Sequence, residues 1–103
     1  MKKNNNNLVV EAKALTGKWR LEGTKEYWRL DSGFSGETWD ESDDVSEGEG
    51  SRLRWTVEGP VLKITLVGDM GQKVPYDYTI LAQPSSTLTI QDAYENVKTF
   101  RKI

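Results

Sequence analysis

Apolar and polar residues alternate with a period of two in eight short stretches between Gly17 and Ile103. This period is typical of β-strands that bury one face of a sheet, and turn-forming residues separate the stretches. No segment between them has the pattern of a crossover helix, so neighbouring strands should be antiparallel. The eight predicted strands are residues 17–22, 25–31, 34–39, 52–58, 61–67, 74–81, 87–92 and 97–103.

A meander of eight strands can pair its first strand with its last, which removes both exposed edges of the sheet. The sequence therefore predicts an all-β, eight-stranded, antiparallel up-and-down barrel over residues 17–103. A sandwich made of the same strands is the main structural alternative. Residues 1–16 precede the barrel, and we expect them to form a flexible N-terminal segment.

Two parts can be distinguished within that N-terminal segment. The low-complexity run of asparagines predicts disorder over residues 1–7. After it, the spacing of Leu8, Ala12 and Leu15 suits a short helix, which Gly17 would close as a C-terminal cap. A short helical turn is therefore expected directly before the first strand.

The composition excludes several classes of function. A chain of 103 residues is long enough for one domain with a single core. It contains no Cys and no His, which excludes disulfides, thiolate chemistry, an imidazole base and the usual zinc sites. The net charge of −2 argues against a nucleic-acid partner, and no apolar run of about 18 residues could form a transmembrane segment. We therefore predict a non-catalytic protein without a cofactor.

The most distinctive polar feature is the acidic connection between the third and fourth strands, residues 40–49. An EF-hand calcium loop would need Gly at its sixth position and a bidentate Glu at its twelfth. With Asp40 at the first position, those positions hold Val45 and Ser51, so the EF-hand interpretation fails. A less regular calcium site of oxygen ligands stays open, but we predict no metal. The carboxylates of the loop belong to Asp40, Glu41, Asp43, Asp44, Glu47 and Glu49.

The favoured interpretation of this loop is a solvated connection. Its carboxylates would cap nearby backbone amides and pair with Arg52 and Arg54 of the following strand. Ser46 and Glu49 have the spacing of a capping box, so one helical turn could form there. The same acidic loop, residues 40–49, is also the predicted contact for a protein partner.

The aromatic residues could line a ligand pocket or fill the barrel interior. The regular alternation around Trp19 and Trp55 favours the core for both of them. For four other aromatic residues both roles stay open, so they are candidates for ligand binding. These are Trp28, Trp39, Tyr76 and Tyr78.

Glu37 is the fifth candidate for ligand binding. It lies two residues before Trp39 and therefore shares the same face of the third strand. If that face points into the barrel, Glu37 would be a polar anchor for a ligand. If instead the strand twists near an open end of the barrel, Glu37 would be exposed to water.

The segment Gly17-Lys18-Trp19, at the start of the first strand, resembles the Gly-x-Trp signature of lipocalins. In that superfamily the Trp closes one end of the barrel, and an Arg near the end of the last strand covers it. Arg101 matches this Arg. The resemblance therefore implies a structural role for Gly17 and a cation–π contact between Arg101 and Trp19.

A wider pattern between Leu15 and Ile103 resembles the small lipocalin-like domain family of bacterial proteins. The resemblance implies a lipocalin-like barrel that binds a small, partly apolar molecule at its mouth. Many members are exported lipoproteins, which implies a precursor that is periplasmic or tethered to the outer membrane; if Met1 is the native start, the protein would be cytoplasmic. The matching motifs are Tyr27-Trp28-Arg29-Leu30, Gly36-x-x-Trp39-Asp40-x-x-Asp43-Asp44-Val45-x-Glu47, Trp55 and Met70-Gly71-x-x-Val74-Pro75.

Three hypotheses for function follow. The first is a non-catalytic binding domain that takes a small, partly apolar ligand at the barrel mouth. The second is an interaction module with a barrel filled by side chains, whose acidic loop or outer face contacts a protein partner or the cell envelope. The third is a five-stranded oligonucleotide-binding barrel, which the size and the Trp content suggest and the negative charge opposes.

Overall fold

The computed structural model describes residues 8–103, so the expected disorder of residues 1–7 lies outside the described part of the chain. Within it the chain forms a closed barrel, in which all neighbouring strands are antiparallel and follow one another in chain order. This confirms the predicted up-and-down barrel and excludes the sandwich. The strands are β1 Gly17–Leu21, β2 Glu26–Leu30, β3 Ser35–Asp40, β4 Ser51–Glu58, β5 Val61–Val67, β6 Lys73–Ile80, β7 Thr87–Gln91 and β8 Val97–Lys102.

The barrel closes because β1 pairs with both β2 and β8. Trp19 lies opposite Trp28 on β2 and opposite Lys102 on β8. Alternate residues of each strand point inward, as the period-two pattern predicts, and they form one continuous apolar core. The buried core residues are Val10, Leu15, Trp19, Trp28, Leu30, Leu53, Trp55, Leu62, Ile64, Ile80, Leu88, Ile90 and Phe100.

One end of the barrel is closed by the segment that precedes β1. Val10 and Leu15 are buried in the core, and the Val10 amide donates a hydrogen bond to the carbonyl oxygen of Gly59 at 3.2 Å. The indole N–H of Trp19 donates to the carbonyl oxygen of Leu15 at 2.9 Å. The expected short helix is a single 3-10 turn, Ala12–Ala14. The expectation of a flexible segment is wrong for residues 8–16, because they pack against the core and close this end.

The cation that covers Trp19 is Lys102, so the implied contact with Arg101 is wrong. The Lys102 ammonium lies 5.0 Å from the Trp19 ring centroid, whereas Arg101 points outward and pairs with Glu22. The physical reason is the alternation along β8, since the register sets Lys102 directly opposite Trp19 and Arg101 one residue out of phase. Gly17 has a φ of 129°, a backbone conformation that residues with a Cβ rarely adopt.

The other end of the barrel is its mouth, and the wall there is uneven. β6 pairs with β5 from Lys73 to Thr79, but its pairing with β7 is limited to Thr79 and Ile80. The reason is the register, since Gln91, the last residue of β7, lies opposite Thr79, the second-last residue of β6. Residues 73–78 therefore extend past β7 and leave a notch in the wall. Among the described residues, no helix has the length and apolar character to cross a membrane.

Candidate functional site

The notch in the wall exposes aromatic side chains that the alternation along β6 directs toward the core. Ile80, Tyr78 and Tyr76 all lie on the inner face of β6, opposite inner residues of β5 or β7. Ile80 is fully buried, Tyr78 is partly buried, and Tyr76 is 45% exposed. Burial falls along the strand because β7 ends and no longer covers it. Two of the predicted candidates, Tyr76 and Tyr78, therefore lie together in an open recess.

This recess is a cleft of about 580 Å³ between β6 and the turn that joins β7 to β8. Its volume falls within the range of about 300–1,000 Å³ that is usual for small-molecule sites. Tyr94 of the β7–β8 turn stands on the side opposite β6 and is 85% exposed. The lining residues are Lys63, Pro75, Tyr76, Asp77, Tyr78, Asp92, Ala93, Tyr94 and Lys98.

The barrel interior next to the cleft is filled by side chains. Trp28 stacks on Phe100 with a centroid distance of 4.2 Å, and its ring centroid lies 5.3 Å from that of Tyr78. Trp28 is buried and is not part of the cleft lining, so it contacts the site only through Tyr78. A ligand at this end would therefore lie at the rim, against the tyrosines, and not inside the barrel.

The β7–β8 turn is held in place by Asp92. One oxygen of its carboxylate accepts hydrogen bonds from the amides of Tyr94 and Asn96, both at 2.9 Å, and the other accepts from the Asn96 side chain at 3.3 Å. These bonds, the Asn96 amide foremost, lower the pKa of Asp92. Asp92 therefore fixes the position of Tyr94, and most of its hydrogen bonds are made within the turn itself.

The polar groups of the cleft differ between the two faces of the sheet. Lys98 lies opposite the buried Ile90 and so belongs to the inner face of β8. Lys63 and Asp77 lie opposite each other on the outer face of β5 and β6. Burial, followed by nearby negative charge, raises the pKa of Tyr78, so its hydroxyl stays protonated and uncharged at neutral pH.

Of the lining residues, sequence reasoning predicted only Tyr76 and Tyr78, and the most important ones that it missed are Asp92, Tyr94 and Lys98. For Lys98 a signal was present, because it lies two residues before the apolar Phe100 and therefore on the same face of β8. For Asp92 and Tyr94 no comparable signal exists. Their position depends on the fold of a turn and on the distance between that turn and β6.

The predicted candidates Trp39 and Glu37 do not reach the cleft. The register sets Thr38 opposite the inward Trp28, so the neighbouring Trp39 lies on the outer face of β3. There it stacks on Tyr27 at a centroid distance of 5.2 Å. Trp39 is only 6% exposed because residues 41–50, which we call the strap, fold back over it. Its indole N–H is buried without a hydrogen-bond acceptor among the described residues.

Glu37 fastens the strap to the outer face of the barrel. One oxygen of its carboxylate accepts hydrogen bonds from the amides of Gly48 at 2.8 Å and Gly50 at 2.7 Å. The other oxygen accepts from the Arg29 guanidinium at 3.1 Å. Glu37 is 6% exposed. Both sequence interpretations are therefore wrong, because this carboxylate is neither an inward ligand anchor nor exposed to water.

The acidic side chains of the strap mostly bind the protein itself. Glu47 pairs with Lys18 at 2.9 Å and with Arg29 at 3.1 Å, and these partners, Lys18 first, lower its pKa. The predicted ion pairs with the two arginines of β4 do not form, because residues on β1 and β2 lie beneath the strap instead. No group of three carboxylates within residues 8–103 is placed to hold a metal ion.

The predicted capping of amides by carboxylates is confirmed. Asp40 accepts a hydrogen bond from the Ser42 amide at 2.9 Å, and Glu49 accepts from the Ser46 amide at 3.1 Å. The capping-box contact between Ser46 and Glu49 thus forms, but it closes a turn and not a helix. The helical turn of the strap lies earlier, at Glu41–Asp43.

Comparison with known proteins gave no match to a family model, to a curated protein or to a solved structure. The resemblance to small lipocalin-like domains accordingly stays a prediction from the motifs. The description of the barrel, the cleft and the strap therefore comes from the structure of this chain and not from a relative.

Proposed function

We propose that this protein is a non-catalytic binding domain that takes a small, partly apolar molecule in the cleft between β6 and the β7–β8 turn. The observation that supports this most is the exposure of Tyr76, Tyr78 and Tyr94 around one recess. Large aromatic side chains that remain exposed together in a concave site favour a ligand that covers them. A flat molecule can stack on a tyrosine ring, which adds to the gain from burying apolar area.

The expected affinity is modest, because the cleft is open on one side. A ligand of about 15 heavy atoms that gains roughly 0.33 kcal/mol per atom would bind with about 5 kcal/mol. That free energy corresponds to a Kd of about 0.2 mM. Binding should therefore be measured by a method that detects weak complexes, such as the shift of backbone amide signals in an NMR titration.

The unpaired edge of β6 at the notch is better suited to a small-molecule ligand than to pairing with a β-strand of another protein. The Ile80 amide donates to the carbonyl oxygen of Pro60, on the β5 side. Backbone groups of successive residues point to opposite sides of a strand, so those of Asp77 and Pro75 point away from β5 and toward the notch. Pro75 has no N–H to offer a partner strand, and Asp77 brings a charge to the same edge. Both features protect sheet edges against pairing with another chain.

The test is an NMR titration of the protein with 1-naphthalenemethanol, a neutral probe with a flat apolar ring. We expect the amide signals of residues 73–80 and 92–98 to shift together, with a Kd of about 1 mM, since this probe has fewer heavy atoms than the ligand considered above. Tyr76→Ala should weaken binding at least threefold, and Tyr76→Phe, which keeps the ring, should not. Shifts that are spread over the whole barrel, or equal affinities in the two variants, would contradict the proposal.

A second function, docking of a protein partner on the strap, is favoured by one observation. The carboxylates of Asp43 and Asp44 are exposed and have no side-chain partner among residues 8–103. The bonds of Glu47 and Glu49 hold the strap, so this acidic pair is presented on a fixed backbone. A partner with a basic surface could recognise it.

The test for this second function removes two charges at the strap and two elsewhere. Asp43→Asn combined with Asp44→Asn should abolish the retention of a partner on immobilised protein. The matched control is Glu11→Gln combined with Asp69→Asn, since both of these acids are exposed outside the strap. Equal retention by the two double variants would mean that the strap is not the docking site.

A further inference from the structure

Lys98 is a charged residue at a position where the barrel wall directs side chains inward. Its neighbours on the inner face of β8 include Phe100, which is buried. Lysine is rarely placed on such a face unless its ammonium group meets a partner or water. Lys98 lines the cleft, so its side chain is available to a molecule that lies there.

No carboxylate within residues 8–103 neutralises Lys98 by a direct contact. It forms no ion pair within 4.0 Å and no side-chain hydrogen bond in that part of the chain. The nearby Asp92 is occupied by the amides of the β7–β8 turn. Asp77 lies on the outer face, opposite Lys63. Lys98 is therefore the inner-face cation of the cleft, and its longer-range attraction to Asp92 contributes to the lowered pKa of Asp92.

Glu26 sets the direction in which a charged ligand would lie. It belongs to the mouth on the β2 side, lines a different recess, and its negative charge contributes to the raised pKa of Tyr78. An anionic group would be repelled from that side and attracted toward Lys98, although Asp92 of the cleft, which also contributes to the raised pKa of Tyr78, opposes this attraction in part. The uncharged wall formed by Tyr76 and Tyr78 would then receive the apolar part of the molecule.

We propose that the ligand of this cleft is an organic anion, with a flat apolar body against Tyr76 and Tyr78 and a single carboxylate or sulfonate at Lys98. This inference rests on the proposed binding function and assigns it a chemical class. Lys98 determines specificity by its charge. A cationic ligand would meet this ammonium group, and the carboxylate of Asp92 is already engaged by three hydrogen bonds from the β7–β8 turn.

The experiment compares two probes that share one ring system, 1-naphthoate and 1-naphthalenemethanol, by NMR titration at pH 7. The charged probe should bind about three- to tenfold more tightly, which is the usual size of one partly solvated ion pair. Lys98→Met should remove this preference, and Lys98→Arg should keep it. Lys13→Met is the matched control, because it removes an exposed cation that lies before β1 and outside the cleft, and it should leave the preference intact.

The outcomes separate this inference from the proposed function. Equal binding of both probes to the unmodified protein, or a preference for naphthoate that survives in Lys98→Met, would overturn the anion assignment and leave the binding function standing. Tighter binding of 1-naphthylmethylammonium would overturn it as well. If none of the three probes shifts the signals of the cleft, both proposals fail. An unchanged amide spectrum outside the cleft shows that Lys98→Met is folded.

Discussion

Replacing Glu37 by Gln should release the strap while the barrel stays folded. The carboxylate of Glu37 accepts hydrogen bonds from two strap amides, those of Gly48 and Gly50, and from the guanidinium of Arg29. Gln keeps the size of the side chain but loses the charge, and one of its two polar ends becomes a donor. Whichever way the amide turns, its NH2 group faces another donor, either the strap amides or Arg29.

The magnitude follows from these contacts. A hydrogen bond to a charged group contributes about 1.5–3 kcal/mol, and a buried donor without an acceptor costs about 1–3 kcal/mol. Because Gln keeps part of the hydrogen-bond network, we expect the free energy that favours the docked strap over the open one to fall by about 2–4 kcal/mol. The free energy of global unfolding can fall by no more than the free energy that holds the strap on the barrel. Beyond that point the strap detaches, and its amides form hydrogen bonds with water instead.

Hydrogen exchange at the amides of Gly48 and Gly50 measures this effect directly. A loss of about 2 kcal/mol in the free energy of opening corresponds to exchange that is roughly thirtyfold faster. Opening also uncovers Trp39, so quenching of Trp fluorescence by acrylamide should increase in Glu37→Gln and should return to the original level when Trp39→Phe is added. The matched control is Glu41→Gln, because that exposed strap carboxylate contacts only the Tyr27 hydroxyl, at 3.3 Å.

The result that would refute the reasoning is specific. If Glu37→Gln and Glu41→Gln show the same exchange at Gly48 and Gly50 and the same urea midpoint, then the buried carboxylate does not hold the strap. The attachment would then have to lie in the ion pairs of Glu47, which a titration with salt would weaken.

Three further predictions follow from the strap and from the closed end. Gly50→Ala should destabilise the protein by about 2 kcal/mol in urea unfolding, because a Cβ there would overlap the carbonyl of the strand beneath. Lys102→Ala should cost about 1 kcal/mol through the lost contact with Trp19, and Arg101→Ala less than about 0.5 kcal/mol, as thermal melts of both can show. The lowered pKa of Glu47 means that its ionised form stabilises the fold. This contribution is complete above the ordinary pKa of 4.5 and is lost as the pH falls through the lowered pKa. Glu47→Gln should therefore make the stability depend less on pH at the acid end of a pH–stability curve.

The sequence predicted the barrel because its signal is local and repeated. Alternation identified all eight strands within one residue of their bounds and placed Trp19 and Trp55 correctly in the core, whereas it left both roles open for Trp28, which is also buried there. It failed on β3, where Glu37 and Trp39 lie on the outer face. Alternation shows that two residues share a face, but it cannot show which face is inner when a distant loop buries the outer one.

The candidate site was predictable in part for a related reason. Tyr76 and Tyr78 are inward residues of β6, and the sequence shows this. Their exposure depends instead on where β7 ends and on where the β7–β8 turn places Tyr94, which are relations between segments far apart in the chain. The Arg101 error was different, because the alternation that puts Phe100 inside also puts Lys102 inside. The lipocalin resemblance predicted Arg101 as the cation over Trp19, whereas the period of two along β8 predicts Lys102.

The position of the proposed site follows from how this small barrel is filled. Three of the four tryptophans, Trp19, Trp28 and Trp55, lie inside the barrel and leave little free volume there, and the segment before β1 closes one end. On the β3 side the strap covers the outer wall, and residues 48–50 line a separate recess together with the start of β4. The irregularity that exposes the tyrosines is the overhang of β6 past the end of β7, which also gives the approach to Lys98. A ligand of a barrel with a filled interior has to bind at its wall or rim, and for this reason we assign the proposed site to the notch beside β6.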